Sequence, residues 1–334
     1  DHKIIAQGWH QIAGQGHAEV NALAQIPAGE TAQGATAYVT LEPCSHFGKT
    51  APCSNALIEA GIKCVVVAMV DPNPLVAGNG IKRLREHGLQ VISGVLENEA
   101  RALNPGFIQR MEILRPKIRC KMAMSLDGRT AMASGESQWI TGKDAREDVQ
   151  RLRAESSAVL TGIGTVLADD PSMNVRSERF KDCGRQPDRV ILDTRLQISA
   201  QAKMLALEGE TIILAGQNCV APQQVQLLER EAVQVQLLPL EQERISLAAV
   251  MPVLAQRQYN DVLLEAGATL TGAMLSAGFV DELIIYMAAH LMGSKARGLF
   301  DLPGLDTMAE RINLSIEDIR AVGRDYRIIA IPDL

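Results

Sequence analysis

Long apolar runs are missing from this sequence. No stretch of about 18 apolar residues occurs, the length that a membrane-spanning helix needs, and the first residues show no signal-peptide pattern. We therefore expect a cytoplasmic protein without a membrane partner. Aromatic residues make up only 3% of the chain, and 39 acidic residues outnumber 33 basic ones. This composition argues against a nucleic-acid partner, because such proteins rely on stacked aromatic side chains and basic surfaces.

Cysteine is also scarce. Six cysteines in 334 residues are too few for a disulfide scaffold, so their positions must be considered for metal binding or reactivity. Hydrophobic residues make up 47% of the chain and charged residues 22%, a balance that supplies packed cores and argues against disorder. The length predicts roughly two domains.

Short β-rich runs alternate with helical stretches, which predicts two α/β domains. We place the boundary before Pro116, where a new strand-like run begins, so that the domains span residues 1–115 and 116–334. In the first domain we predict strands over 4–7, 35–41 and 63–70 and helices over 54–60 and 97–110. In the second domain we predict a helix over 143–153 and strands over 117–124, 158–161, 189–193, 212–215, 233–238, 262–265, 282–287 and 327–331.

One imidazole and two thiols occur in a spacing that suits a metal. His17-Ala18-Glu19 is followed by Pro43-Cys44 and, nine positions later, by Cys53. These ligands can bind Zn²⁺ and leave a fourth position for water, which the metal acidifies. Glu19 is the natural carboxylate to move protons between that water and a departing amine. We predict that His17 and Glu19 lie at the start of one helix and that Cys53 starts another.

Simpler interpretations exist for each residue of this set. The two cysteines can be buried thiols, His17 a solvent-facing turn residue and Glu19 a helix-capping charge. In a further alternative, His46 completes a closed structural Cys₂His₂ zinc site, which has no use for Glu19. The remaining cysteines lack ligand spacing and are interpreted as core or surface residues: Cys64, Cys120, Cys183 and Cys219.

The His-x-Glu and Pro-Cys elements match the zinc-dependent nucleobase deaminase signature, except that the second cysteine comes later than usual. Residues 40–53, TLEPCSHFGKTAPC, resemble the riboflavin-biosynthesis deaminases, which have a long loop between the cysteines. The resemblance implies that His46 and Lys49 lie beside a phosphorylated substrate, although Lys49 can equally be a solvated lysine. The family also carries an N-terminal helix and a Pro-Asn-Pro-x-Val-Gly segment that this sequence lacks. Either the chain is truncated or its pyrimidine pocket is incomplete.

Three motifs in the second half resemble the pyrimidine reductase that is fused to this deaminase in bacterial bifunctional enzymes, a domain similar in fold to dihydrofolate reductase. The motifs are MSLDGRTA at 124–131, SGESQWIT at 134–141 and TVLADDP at 165–171. The resemblance implies NADPH as cofactor and a set of contacts to it: Ala123, Trp139, Thr165, Asp169, Gly267, Ala268, Thr269, Leu270, Thr271, Gly272 and Ala273. It implies these substrate contacts: Lys121, Ser137, Arg153, Met173, Arg176 and Glu265.

The residues alone support the nicotinamide site less strongly. Segment 265–273, EAGATLTGA, follows a strand-like run and opens a helix, so a pyrophosphate can approach its backbone N–H groups. It matches neither Gly-x-Gly-x-x-Gly nor the Walker A pattern, and helix–strand packing explains it equally well. Arg153 and Arg176 are either solvated or hold a phosphate monoester, for which a guanidinium is well suited.

We interpret the chain as a bifunctional enzyme of riboflavin synthesis, with zinc-dependent deamination followed by NADPH-dependent reduction of a ribosyl side chain. One alternative is a nucleic-acid deaminase, which the acidic charge balance and the long second domain argue against. The other is a non-enzymatic binding protein with a structural zinc and a nucleotide pocket. We also expect a homo-oligomer, either a dimer or a tetramer.

Overall fold

The computed structural model of the protein describes residues 3–12, 14–48, 51–180 and 184–333. The chain divides into two compact units, residues 1–113 and 114–334. Each unit combines helices with a mainly parallel sheet, so the predicted α/β class is confirmed. Within the described ranges, none of the helices combines the length and the apolarity needed to cross a bilayer.

The first unit is built on a three-stranded parallel sheet in the order β1-β2-β3. Its strands are β1 (Thr36–Val39), β2 (Cys64–Val67) and β3 (Gln90–Ser93). Its helices are α1 (Ala18–Leu23), α2 (Cys53–Glu59), α3 (Asn79–Glu86), α4 (Glu97–Leu103) and α5 (Pro105–Ile113). Val65 and Val67 of β2 are fully buried and share one apolar cluster with Leu57 of α2 and Leu84 of α3. This cluster fixes the start of α2 relative to the sheet.

Two predictions for the first unit are wrong. Residues 4–7 form no strand, because no neighbouring strand pairs with them, and Ile4 is exposed. The helix predicted over 97–110 is two helices that break at Asn104, whose backbone is not helical. The break follows from Pro105, since proline disfavours the helical conformation of the residue before it.

The second unit contains a nine-stranded sheet in the order β15-β16-β13-β4-β12-β6-β7-β8-β9. Its strands are β4 (Lys117–Ser125), β6 (Ala158–Gly162), β7 (Asp188–Leu192), β8 (Thr211–Gly216), β9 (Val233–Leu238), β12 (Asp261–Leu264), β13 (Glu282–Ala288), β15 (Asn313–Val322) and β16 (Asp325–Asp333). Two short strand pairs lie outside this sheet. They are β5 (Arg129–Ala131) with β14 (Arg297–Gly298) and β10 (Leu240–Glu241) with β11 (Arg244–Ile245). The helices are α6 (Lys143–Glu155), α7 (Ile163–Asp169), α8 (Pro222–Leu228), α9 (Leu247–Gln256) and α10 (Ala268–Ser276), with a 3₁₀ turn at Lys203–Ala206. All eight strands predicted for this domain are present, and each strand end lies within two residues of the prediction.

Strand β12 shows how the sheet is covered on both faces. Val262, Leu263 and Leu264 are all fully buried. Val262 and Leu264 belong to the cluster that contains residues of α9 and α10, whereas Leu263 belongs to the cluster of α6. Because β4, β12, β6 and β7 run parallel, their carboxyl ends share one edge, where ligands bind in open α/β sheets.

Candidate functional site

The structure brings His17, Cys44 and Cys53 together in the first unit. Their ligand atoms all lie within 4.8 Å of one another. The Nδ1 atom of His17 is 3.1 Å from Sγ of Cys53 and 3.7 Å from Sγ of Cys44. One imidazole and two thiols at these separations fit a tetrahedral zinc ion with one position left for a non-protein ligand.

Helix starts position two of these ligands, as predicted. His17 directly precedes α1, and Glu19 lies in the first turn of that helix. Cys53 is the first residue of α2, and its backbone N–H donates a hydrogen bond to Sγ of Cys44, at 3.3 Å. A backbone donor of this kind and the positive end of a helix both favour a thiolate.

The pKa shifts of the two cysteines are compatible with metal binding, and that of Glu19 is compatible with proton transfer. A hydrogen bond from the Cys53 thiol lowers the pKa of Cys44 to about 5. The same hydrogen bond and the burial of Cys53 both raise the pKa of Cys53. The two sulfurs therefore share one proton, which a bound dication would displace. Burial is the main cause that raises the pKa of Glu19. A carboxyl with a raised pKa holds a proton more readily than a free carboxyl, which suits a group that accepts a proton and then returns it.

Two other residues were predicted to lie in this region. His46 is exposed and is not part of the ligand cluster, so the described residues do not form a closed Cys₂His₂ site. Lys49 lies outside the described residues, and its phosphate contact stays a prediction. Among the other cysteines, Cys64 is half-buried, Cys120 is buried and Cys219 is exposed, as predicted, whereas Cys183 lies outside the described residues.

Sequence reasoning missed Glu42, two residues before Cys44. The buried carboxylate of Glu42 accepts backbone hydrogen bonds from Asp71 at 3.2 Å, Gly78 at 2.8 Å and Ile81 at 3.0 Å. It therefore fastens the loop between β2 and α3 to the segment that carries Cys44. At Gly80 a Cβ atom would lie 1.9 Å from the carbonyl oxygen of Pro43, so this close backbone approach requires glycine.

We expect Glu42→Ala to destabilise the first unit by roughly 3 kcal/mol or more, because three backbone N–H groups lose their acceptor. Urea unfolding together with measurement of bound zinc checks this result. The matched control is Glu59→Ala, at an exposed position of α2, for which a change within about 0.5 kcal/mol is expected. Equal unfolding midpoints for the two variants would contradict the role given to Glu42.

The second unit contains a cavity of about 1990 Å³. All six predicted substrate residues line it, as do the predicted cofactor residues except Thr271 and Gly272. Pockets for one small ligand are typically about 300 to 1,000 Å³, so this cavity has room for a substrate beside a dinucleotide. The walls include the start of α10, where backbone N–H groups can receive a phosphate.

Thr271 and Gly272 are not among the residues that line this cavity, and their predicted cofactor contacts stay predictions. The Thr271 hydroxyl is buried and donates hydrogen bonds to the carbonyl oxygens of Gly267 and Ala268. A Cβ atom at Gly272 would lie 2.0 Å from the carbonyl oxygen of Asp301. Thr271 therefore bonds to the first turn of its own helix, and Gly272 allows the backbone at Asp301 to lie close to α10.

Glu265 and Arg153 form a buried ion pair at the cavity wall. The guanidinium donates from Nε to Oε1 at 2.6 Å and from Nη2 to Oε2 at 2.9 Å, and its Nη1 donates to the Asn174 carbonyl at 3.1 Å. Three of the five N–H groups of Arg153 therefore donate to protein acceptors, and its predicted substrate contact stays a prediction. Arg176 also lines the cavity and is exposed, and its predicted phosphate contact stays a prediction as well.

Lys121 lies next to this ion pair. The Nζ atom of Lys121 lies 4.0 Å from Oε2 of Glu265. Burial acts to raise the pKa of Glu265, but the charge and hydrogen bonds of Arg153 outweigh it and lower that pKa. Burial, together with the like charge of Arg153, lowers the pKa of Lys121. Glu265 is therefore ionised at neutral pH and lies beside the amino group of Lys121 at the cavity wall.

Several polar residues of the cavity wall were missed in the sequence. They are Thr141, Arg146, Gln150, Thr194, Lys203 and Arg244. These residues come from α6, from the segments after β5 and β7, and from the β10–β11 pair. No single motif contains them, so only the tertiary fold shows that they share one wall.

The fold and the two sites define a zinc-binding deaminase domain joined to a reductase domain. Residues 1–69 match the family model of the cytidine and deoxycytidylate deaminase zinc-binding region, and residues 116–328 match that of the RibD C-terminal domain. The chain belongs to the RibD family of riboflavin biosynthesis proteins. The predicted family, the fold class and the pairing of deaminase with reductase, with zinc and NADPH as cofactors, are thereby confirmed.

Relatives in several bacteria match almost the whole chain. Riboflavin biosynthesis protein RibD of Escherichia coli is 47% identical over 334 residues, which cover 97% of this chain and 89% of that protein. The structure of Acinetobacter baumannii RibD has a TM-score of 0.89 at 45% identity and covers 100% of this chain and 90% of that one. The Thermotoga maritima deaminase/reductase has a TM-score of 0.83 at 32% identity, covering 98% and 88%.

Proposed function

We propose that the chain catalyses two successive steps of riboflavin synthesis. Residues 1–115 hydrolyse the amine of 2,5-diamino-6-ribosylamino-4(3H)-pyrimidinone 5′-phosphate, and residues 116–334 reduce the ribosyl group of the product to give 5-amino-6-ribitylamino-uracil 5′-phosphate. The observation that carries this proposal is the His17, Cys44 and Cys53 cluster with a half-buried carboxyl at Glu19, in one chain with a cavity for two ligands.

In the first unit, His17, Cys44 and Cys53 would hold the zinc ion. When bound, zinc supplies a Lewis acid that makes water a nucleophile near neutral pH. Glu19 takes a proton from the attacking water and gives it to the leaving amine, so that the ring carbon gains an oxygen and ammonia departs. His46 and Lys49 come between the two cysteines in the sequence, and we propose that they contact the substrate.

In the second unit, the start of α10 would hold NADPH together with Trp139, Thr165 and Asp169, which line the same cavity. When bound, the cofactor would supply the hydride for reduction of the ribosyl group at C1′ to a ribityl chain. Lys121 and Glu265 orient the reacting carbon, and Arg176 binds the phosphate. Ser137 and Met173 complete the substrate wall. The protein mainly aligns the two reactants, because the ring opening itself exposes an electrophilic carbon.

We further propose a cytoplasmic homo-oligomer. Strand β15 leaves Leu314, Ile316 and Ile319 exposed at the edge of the nine-stranded sheet. Exposed apolar residues on an edge strand favour contact with another chain. Sedimentation equilibrium is expected to give a dimer or a tetramer, and a monomer at micromolar concentration would contradict this part of the proposal.

The proposed activity is tested by adding the diamino pyrimidine substrate to purified protein and measuring ammonia before NADPH is supplied. We expect ammonia release without NADPH, then loss of NADPH absorbance when the cofactor is added. Single-stranded RNA and DNA serve as control substrates and should release no ammonia. Ammonia from the nucleic acids, or NADPH oxidation that precedes any ammonia release, would contradict the proposed order and substrate.

A further inference from the structure

Helix α6 presents one face to the reductase cavity. Arg146, Gln150 and Arg153 are spaced by four and three residues, which places them on the same side of the helix. All three line the cavity. Each contacts a different segment that carries a predicted ligand-binding residue. Arg153 holds Glu265, as described above, and the other two contacts involve Trp139 and Arg176.

Arg146 packs against the indole of Trp139. The guanidinium carbon of Arg146 lies 4.6 Å from the ring centroid. The guanidinium is itself held by a hydrogen bond from Nη1 to the carbonyl oxygen of Thr141, at 2.6 Å. Trp139 remains 64% exposed, so most of its surface is open to a ligand. A planar cation over one part of the ring fixes the ring plane before any cofactor binds.

Gln150 holds the backbone of the predicted phosphate ligand. Its side chain is buried, and its Oε1 atom accepts a hydrogen bond from the backbone N–H of Arg176, at 2.9 Å. One turn earlier on the same helix, Glu147 accepts a hydrogen bond from the hydroxyl of Ser177. The segment that carries Arg176 is therefore fastened to α6 at two consecutive residues.

The opposite side of this segment is fastened as well. The amide side chain of Gln186 accepts a hydrogen bond from the backbone N–H of Val175, at 2.8 Å, and donates one to the Val175 carbonyl, at 2.9 Å. Arg153 donates to the carbonyl of Asn174. Residues 174–177 thus lie in a fixed backbone conformation between α6 and Gln186.

We propose that Arg146 and Gln150 are positioning residues of the reductase, each for a different reactant. Arg146 acts on the nicotinamide cofactor through Trp139, and Gln150 acts on the phosphorylated substrate through Arg176. Pre-ordered side chains bind a ligand without an ordering cost, so loss of either contact weakens binding of one reactant only. The inference rests on the proposed function of this cavity.

The cofactor part is tested with Arg146→Met in a Trp9→Phe background, where Trp139 is the one remaining tryptophan of the two in the chain. We expect the Kd of NADPH, titrated by quenching of Trp139 emission, to rise roughly fivefold to thirtyfold, the effect of losing a partly desolvated cation–π contact. The emission maximum of the free protein should also shift. Arg146→Lys keeps the charge without the planar group. Its Kd for NADPH should lie between the value of the unmodified side chain and that of Arg146→Met.

The substrate part is tested with Gln150→Met, which keeps the side-chain length and removes the acceptor. The KM of the deaminated pyrimidine phosphate should rise about tenfold, as expected for one unsatisfied backbone N–H group. The Kd of NADPH and the emission of Trp139 should stay unchanged. Lys143→Met, at an exposed position of the same helix, is the matched control and should change none of these values.

The two variants separate positioning from general damage to the fold. If Arg146→Met and Gln150→Met weaken both reactants equally, or if neither changes its own reactant, the positioning proposal is wrong. The NADPH titration needs no turnover, so it decides the role of Arg146 whether or not the chain is active. If the unmodified chain oxidises no NADPH, that result contradicts the proposed function and not the positioning role of Arg146.

Discussion

Glu19→Gln is expected to reduce ammonia release by about 10³-fold to 10⁴-fold, the upper range of the contribution of a positioned proton carrier. The amide cannot accept the proton of the attacking water. Bound zinc should be unchanged, because Glu19 is not part of the ligand cluster. Ammonia assays and zinc analysis of the same preparation measure the two quantities.

The reductase reaction is the internal control for this variant. Given the deaminated intermediate, Glu19→Gln should oxidise NADPH at the rate of the unmodified chain, since the cavity residues belong to the other unit. Glu59→Gln, at an exposed position of α2, is the matched control and should keep both activities. Loss of zinc, or of both activities together, would contradict the division of labour between the units.

Arg153→Met is expected to abolish the reductase activity and to destabilise the second unit by about 3 to 5 kcal/mol, because it leaves the Glu265 carboxylate buried without its partner. Arg151→Met, on the same helix, breaks more exposed ion pairs and should cost about 1 kcal/mol or less. Denaturant unfolding and NADPH oxidation check both variants. Ammonia release by the first unit should persist in each.

The loss of stability in Arg153→Met should depend on pH. In the unmodified chain the pKa of Glu265 is lowered, so its contribution to stability is present above its unfolded pKa, about 4.3, and is lost as the pH falls through the folded value. Without Arg153, only the charges of Lys121 and Arg176 still oppose the effect of burial, so the pKa of Glu265 is higher than in the unmodified chain and the variant is penalised most at neutral pH. The difference in unfolding free energy should therefore shrink from pH 7.5 towards pH 5. A difference that stays constant over this range would contradict the ion-pair account.

The zinc ligands could be predicted from the sequence because histidine and cysteine are typical zinc ligands and because two of them stand next to recognisable helix starts. His17 and Cys53 stand at helix starts, which proline and spacing indicate. Glu42 could not be found in the same way. It accepts hydrogen bonds from backbone groups 29 to 39 residues away, and such contacts depend on the tertiary fold.

The reductase cavity shows the same limit. The sequence contains Arg153 as a cation without a visible partner, and the structure pairs it with a carboxylate 112 residues further along the chain. Thr271 and Gly272 belong to the expected segment, but the turn of α10 directs them into the packing. The wrong strand at 4–7 has a related cause, because a local pattern does not reveal whether a neighbouring strand is present to pair. The helix break at Asn104 could have been predicted from the sequence, because Pro105 disfavours the helical conformation of the residue before it.

Zinc-edge X-ray absorption of the purified protein identifies the atoms that bind the metal. We expect two sulfur neighbours at about 2.3 Å and the scattering of a single imidazole. Two imidazoles would indicate a closed site completed by a second histidine, and a zinc environment without sulfur would show that Cys44 and Cys53 are not ligands. Either result would contradict the assignment of the first unit as a catalytic deaminase.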